Sequence, residues 1–128
     1  MAVRSYWLDE NKSIVQYDFE GNWTWEEFYP AFHDALAMET SVTYRVDVIC
    51  DFRASDALPA NALTHLKGIT DRQPENIGLS IFITTNRFFK VMYDTAIKFY
   101  PKTKRYFAIT ATLEEAHALI QQDRVQSS

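Results

Sequence analysis

The spacing of apolar residues along the chain changes several times, and each change predicts a new secondary-structure element. Alternating apolar and polar positions predict strands over residues 6–9 and 14–19, joined by a short hairpin turn. Apolar residues then recur every three to four positions over residues 25–36, which predicts a helix. Thr24 and Glu27 form a capping-box pattern at its start. The first third of the chain therefore predicts two strands and a helix.

The rest of the chain repeats a strand followed by a helix three times. Strands are predicted over residues 46–52, 77–84 and 104–109, and helices over residues 59–70, 87–100 and 113–120. Pro59 suits the first helical position, whereas Pro30 should kink the first helix or delay its start. The fourth strand is apolar on both faces and is expected in the sheet interior. The polar tail from about residue 121 is expected to fray.

The order ββαβαβαβα predicts one α/β domain over residues 1–128. Connections that contain a whole helix join parallel strands, whereas the first hairpin supplies an antiparallel edge. We therefore expect a mixed sheet of four to five strands with about four helices.

Composition narrows the class of protein. The 128 residues are 47% hydrophobic and 15% aromatic, which is typical of a folded domain. A net charge of −4 argues against binding of nucleic acid or of an anionic membrane surface. Cys50 has no cysteine partner, no signal peptide is evident, and no apolar run reaches the roughly 18 residues of a membrane span. We expect a cytoplasmic protein without membrane insertion.

Three segments carry a family resemblance. The strand over residues 46–51 ends in Asp51, the step Asn86-Arg87 follows the fourth strand, and residues 112–116 open the last helix. With the element order, they resemble STAS domains, the SpoIIAA-like anti-sigma-factor antagonists and their relatives. The chain is most similar to divergent bacterial STAS-like proteins without an assigned ligand. The resemblance implies a non-enzymatic signalling or protein-interaction module that binds a protein partner, with a homodimer as one form.

In the anti-sigma-factor antagonists, an Asp-Ser-Ser-Gly step after the third strand carries a phosphorylated serine. The corresponding position here falls at Ala60 or Asn61, and neither side chain has a hydroxyl. Ser55 is the nearest hydroxyl and lies about one helical turn earlier. We therefore predict that the usual serine phosphorylation does not switch this protein.

The sequence contains no recognisable catalytic arrangement. The histidines occur on three different predicted helices, at His33, His65 and His117. Cys50 lies within a strand, where an inert core thiol is the commoner case. Asp47 and Asp51 lie on one side of that strand, where they could form an acid/base pair or serve as capping or solvated carboxylates. We predict no enzymatic activity, no metal and no cofactor.

Polar residues follow two strands that are expected to be neighbours. Asp51, Arg53, Ser55, Asp56 and Asn61 follow the third strand, and Thr85, Asn86 and Arg87 follow the fourth. Two arginines and two helix N-termini at one sheet edge favour an anionic ligand or a phosphate. Alternatively, these residues only cap helices and the arginines are solvated. Trp23 and Trp25 could wall a pocket at this edge or be core contacts.

The helix over residues 87–100 has apolar residues around about half its circumference, more than a surface helix needs. The interface candidates on this apolar arc are Phe89, Tyr93, Ile97 and Tyr100. Tyr93 and Ile97, at the margin of the arc, are the expected contacts in a dimer or with a partner. Alternatively, the whole helix is sunk in an aromatic core.

A second function class is therefore also open, a protein that binds a small or lipid-like ligand between sheet and helices. The CRAL-TRIO lipid-binding proteins offer a fold-level analogy. An aromatic-lined cavity of several hundred Å³ would favour ligand binding. A filled core with a flat apolar patch would favour the interaction module.

Overall fold

Five strands form a mixed sheet in the computed structural model, which describes residues 2–101 and 103–127. The strands are β1 Val3–Trp7, β2 Ile14–Gly21, β3 Val46–Ser55, β4 Ile77–Ile83 and β5 Phe107–Thr110. They lie in sequence order, with β1 antiparallel to β2 and each later pair parallel. The predictions of an α/β fold, a mixed sheet and an interior fourth strand are confirmed.

Four helices of ten or more residues and a single helical turn accompany the sheet in the described part of the chain. They are α1 Trp25–Thr40, α2 Ala62–Asp71, α3 Arg87–Phe99, the turn α4 Thr103–Tyr106 and α5 Leu113–Ser127. Each parallel strand is added on the same side of the preceding one, so the crossover helices lie on one face. Helices α1 to α3 cover that first face, and α5 covers the other.

The alternation of side chains along the strands divides the core in two. On the first face, aromatic residues of β2 and β3 meet those of α1, and the rings of Phe19 and Phe52 stack at 4.2 Å. On the second face the core is mainly aliphatic, with Ile14, Ile49, Ile81, Ile83, Ala116 and Ile120 buried together. The first face therefore carries the large rings and the second the compact aliphatic contacts.

The start of α1 agrees with the capping pattern in the sequence, whereas the start of α2 differs from its predicted position. Helix α1 begins at Trp25 with the capping box of Thr24 and Glu27, so the capping pattern is confirmed and a late start at Pro30 is wrong. Helix α2 begins at Ala62 and not at Pro59, because Asn61 has a left-handed φ of 67° that breaks the helix before it.

The C-terminal elements differ more. Strand β5 begins at Phe107, since the residues before it form the helical turn α4. Helix α5 continues to Ser127, so the prediction of fraying from residue 121 is wrong. Its last turns are held by Asp123 and Arg124, which bond to Arg45 and Asp47. Polar composition alone did not reveal these long-range ion pairs.

Asp47 is fully buried at the start of β3 and is the centre of this ionic cluster. Its carboxylate accepts hydrogen bonds from Arg45 Nη2 at 2.8 Å, Arg124 Nε at 2.7 Å and the backbone N of Leu79 at 2.7 Å. Gly78 allows this packing, because a Cβ there would lie 2.1 Å from Arg45 Nε and 2.4 Å from Asp47 Oδ1. The Asp47 cluster thus joins β3, β4 and α5.

We predict that Asp47→Asn lowers the free energy of unfolding by about 3 kcal/mol, because it leaves two partly buried arginines without their shared counter-charge. Asp123→Asn is the matched control, since the Asp123 side chain is 37% exposed and pairs with Arg45. It should cost less than about 1 kcal/mol. Urea unfolding followed by circular dichroism measures both, and equal losses would contradict a central role for Asp47.

Candidate functional site

The polar loop after β3 is largely occupied by its own contacts. Asp51 binds Arg53 through Nη2 at 2.8 Å and Nε at 3.0 Å, and this arginine lowers the pKa of the Asp51 carboxyl. The hydroxyl of Ser55 accepts the indole N–H of Trp23 at 2.9 Å. Asp56 is exposed. The arginine that was expected to receive an anion is thus already paired with a carboxylate.

The loop after β4 caps its helix. Asn86 Oδ1 accepts the backbone N–H of Phe88 at 2.8 Å, whereas Asn61, at the same place before α2, makes no side-chain capping bond. Thr85 and Arg87 are exposed. Within residues 2–101 and 103–127, no hydrogen bond or ion pair joins the two loops. Asn86 thus caps α3, the two loops are not joined by such bonds, and an anion site at this edge stays a prediction.

The interface candidates on α3 divide between the interior and the surface. Phe89 is only 6% exposed and lies 4.9 Å from the Phe52 ring, so its prediction as a surface contact is wrong. Tyr93 is half-buried and donates its hydroxyl to the Phe107 carbonyl at 2.7 Å. Ile97 and Tyr100 are also half-buried. The helix turns this side of its apolar arc toward the sheet.

An apolar cavity lies between the first face of the sheet and helices α1 to α3. Its volume is about 110 Å³, and it opens to the surface. Lining residues from α2 and α3 are mostly half-buried, whereas most of those from α1 and the sheet are buried. The cavity is therefore open beside α2 and α3.

Eleven of the 24 described residues that line the cavity are aromatic. The sheet contributes Tyr17, Phe19, Phe52, Phe82 and Phe107, α1 and the loop before it contribute Trp23, Trp25, Phe28 and Phe32, and α3 contributes Phe89 and Tyr93. Aliphatic residues of α2 close the remaining side, with Leu63, Leu66 and Ile69. Both tryptophans singled out in the sequence thus line the cavity. A wall of this kind favours an apolar occupant.

Helix α2 is held beside the cavity by contacts with α1. The Trp25 ring stacks on His65 at 4.1 Å, and its indole N–H donates to the Ala60 carbonyl at 2.8 Å. The Tyr29 hydroxyl and His65 Nδ1 are 2.5 Å apart. One histidine is therefore an inter-helix contact, and among the described residues no three His, Cys, Asp or Glu side chains cluster as a metal site.

A small polar group interrupts the apolar wall. Glu39 is 3% exposed, and burial raises the pKa of its carboxyl to about 8. Burial also raises the pKa of the Cys50 thiol and of the Tyr17 hydroxyl well above their usual values. Ser80 lines the same cavity and is buried. All four groups are therefore neutral near pH 7.

Our reading of the sequence missed Glu39, although a signal was present. Residues 28, 32, 35 and 39 follow one helical face, and the first three are Phe28, Phe32 and Ala35. A glutamate as the fourth member of an inward-facing stripe predicts a buried carboxyl. The apolar spacing that predicts this helix covers residues 25–36 and stops short of Glu39.

Comparison of the chain with protein-family models, with curated proteins and with solved structures finds no match. In the described part of the chain, every helix is too short or too polar to cross a membrane. Evidence on function therefore comes from the cavity and from the exposed surfaces.

We predict that stability falls as the pH rises from about 4.5 to about 8, because Glu39 stays protonated in the folded state but ionises near 4.5 when unfolded. Above pH 8 this contribution levels off. Glu39→Gln should remove this slope and unfold at higher denaturant concentration than wild type at pH 8. Denaturant titrations across this pH range test this, and an unchanged slope in the variant would refute it.

Proposed function

We propose that this protein binds a small, largely apolar ligand in the cavity between the sheet and helices α1 to α3. The observation that carries the proposal is the cavity itself, about 110 Å³ in volume with walls of aromatic and aliphatic side chains. Protein cores normally pack to crystal-like density, so an open apolar cavity of this size leaves apolar surface that a ligand could cover. Engineered apolar cavities of similar size bind small aromatic molecules.

The proposed role is non-enzymatic. The buried Cys50 thiol has a raised pKa and remains uncharged, which disfavours a nucleophile. Asp47 and Asp51 are each bonded to arginines, which supports structural roles over an acid/base pair. We propose no cofactor.

A second candidate is the signalling or interaction module of STAS-like type, with the protein as a homodimer. One observation favours it, an exposed apolar strip on α3 formed by Phe88, Val91 and Phe99, which are 56%, 59% and 67% exposed. Their spacing puts them on one side of the helix. These three residues, and not the interface residues predicted from the sequence, form the exposed apolar surface of α3. Several large exposed apolar side chains on one side of a helix are typical of an interaction surface.

Leu66→Trp should obstruct the cavity, because Leu66 lines it and indole is larger than the leucine side chain. We predict that its affinity for 1-naphthylmethanol, a neutral aromatic probe, is at least about tenfold lower than that of wild type. Thr64→Trp adds the same side chain at an exposed position of the same helix and should bind normally. Isothermal titration calorimetry measures both, and binding that is weakened equally in the two variants, or not at all in Leu66→Trp, would contradict a ligand site here.

If the α3 strip forms a homodimer, the double variant with Phe88→Glu and Phe99→Glu should be a monomer. A dimer of this variant would bury two carboxylates on each subunit, and that costs more free energy than the remaining apolar contact supplies. The matched control is Val125→Glu, which adds a charge at a 73% exposed apolar position on the opposite face. It should leave the dimer intact. Sedimentation velocity at high micromolar concentration decides this, and a monomeric wild type rules the dimer out.

A further inference from the structure

Three polar side chains from different elements line the aromatic cavity. Tyr17 on β2 and Cys50 on β3 are direct neighbours across the two parallel strands. Glu39, on α1, lines the same cavity. Two strands and a helix thus contribute a carboxyl, a phenol and a thiol to one cavity.

These groups are buried but lack partners. Tyr17, Glu39 and Cys50 are 4%, 3% and 8% exposed. Within the described part of the chain, no hydrogen bond reaches the Glu39 carboxyl, the Tyr17 hydroxyl or the Cys50 thiol. The oxygens of Glu39 and Tyr17 stay accessible from the cavity, since Gln16 Oε1 is the fully buried side-chain oxygen without a partner in the described part of the chain. A ligand in the cavity would supply the missing partner.

The charges of the wall define what that partner is. Glu39 is the one carboxyl among the described residues that line the cavity, and these residues include no lysine, arginine or histidine. An anionic ligand such as a fatty acid would therefore meet a carboxyl and no counter-charge. A cation would supply the ion pair that Glu39 lacks, in a cavity whose wall includes aromatic rings that can attract a cation.

We propose that the cavity takes an apolar amine, with its hydrocarbon part against the aromatic wall and its ammonium group bound to Glu39. This inference rests on the proposed ligand-binding function and specifies its ligand class. Tyr17 and Cys50 offer further hydrogen-bonding groups beside the ammonium. The ammonium group and the Glu39 carboxylate would form a buried salt bridge in which the ligand supplies one partner. Such a pair is favourable only when each buried charge has its counter-charge.

The proton balance follows from this pairing. The carboxyl of Glu39 is protonated near pH 7 in the empty cavity, and the approaching ammonium group favours its ionised form. Binding of one ammonium ion therefore releases up to one proton from Glu39 to solvent. A neutral ligand of the same shape would release none.

The experiment compares three probes with the same ring system, 1-naphthylmethylamine, 1-naphthylmethanol and 1-naphthoic acid, at pH 7. The amine is then cationic, the alcohol neutral and the acid anionic. The amine should bind at least about tenfold more tightly than the alcohol, and the acid most weakly. Calorimetry in two buffers of different ionisation enthalpy should detect proton release with the amine only.

Glu39→Gln should lose both the preference for the amine over the alcohol and the proton release. Glu39→Leu, which removes all polar atoms from the side chain, should behave in the same way and covers the case in which the glutamine variant is unstable. If wild type binds the alcohol but shows no preference for the amine, or if the preference survives both substitutions, the amine proposal is overturned while the ligand cavity stands. If none of the probes binds, the proposed function itself fails.

Discussion

The buried carboxylate of Asp47 is the interaction on which the arrangement of layers depends. It binds Arg45, two positions before it, Arg124 of the last helix and the backbone of β4. Arg124 also donates to the Ser13 carbonyl before β2. These bonds fix the last helix on the second face of the sheet. A carboxylate without water is stable only when it is so fully paired. Because α5 covers the second face in this way, the first face need not be filled completely for the domain to fold.

The first face is built differently because its residues are different. Aromatic rings from β2, β3 and α1 stack on one another beneath α1. Under α2 the inward residues are leucines and an isoleucine that stay half-buried, and Thr70 is the buried residue of that helix. Short aliphatic side chains do not reach across to the sheet as rings do. The cavity forms because α1 packs large aromatic residues over the sheet, whereas α2 has only smaller aliphatic residues over the same sheet.

Much of the fold could be predicted from hydrophobic periodicity and helix-capping patterns, because both depend on residues that are close in the sequence. The alternation in β2, the Thr24 and Glu27 box and the two-sided apolar β4 all led to the observed elements. The errors occur where distant residues decide the outcome. Helix α5 continues past residue 121 because Arg124 binds Asp47, which lies 77 positions away in the chain. Phe89 is buried because its side of α3 faces Phe52. Of the strand-end candidates, Ser55 and Asn86 proved to have structural partners, and the cavity itself could not be read from the sequence because no local pattern encodes a gap.

Helix α3 contributes to both candidate functions through different sides. Phe89 and Tyr93 line the cavity, whereas Phe88, Val91 and Phe99 are exposed. A ligand under the helix and a partner over it would therefore touch different side chains, and neither function requires the other. The charge distribution separates them further, since the cavity wall contains Glu39 as its single carboxyl among the described residues, and the outer strip borders Lys90 and Asp94, which pair with each other. Specificity for charge is thus concentrated in the cavity, while the outer strip offers mainly apolar area, and apolar area alone discriminates poorly between partners. This contrast is why the ligand hypothesis defines a chemical class and the interface hypothesis defines only a surface.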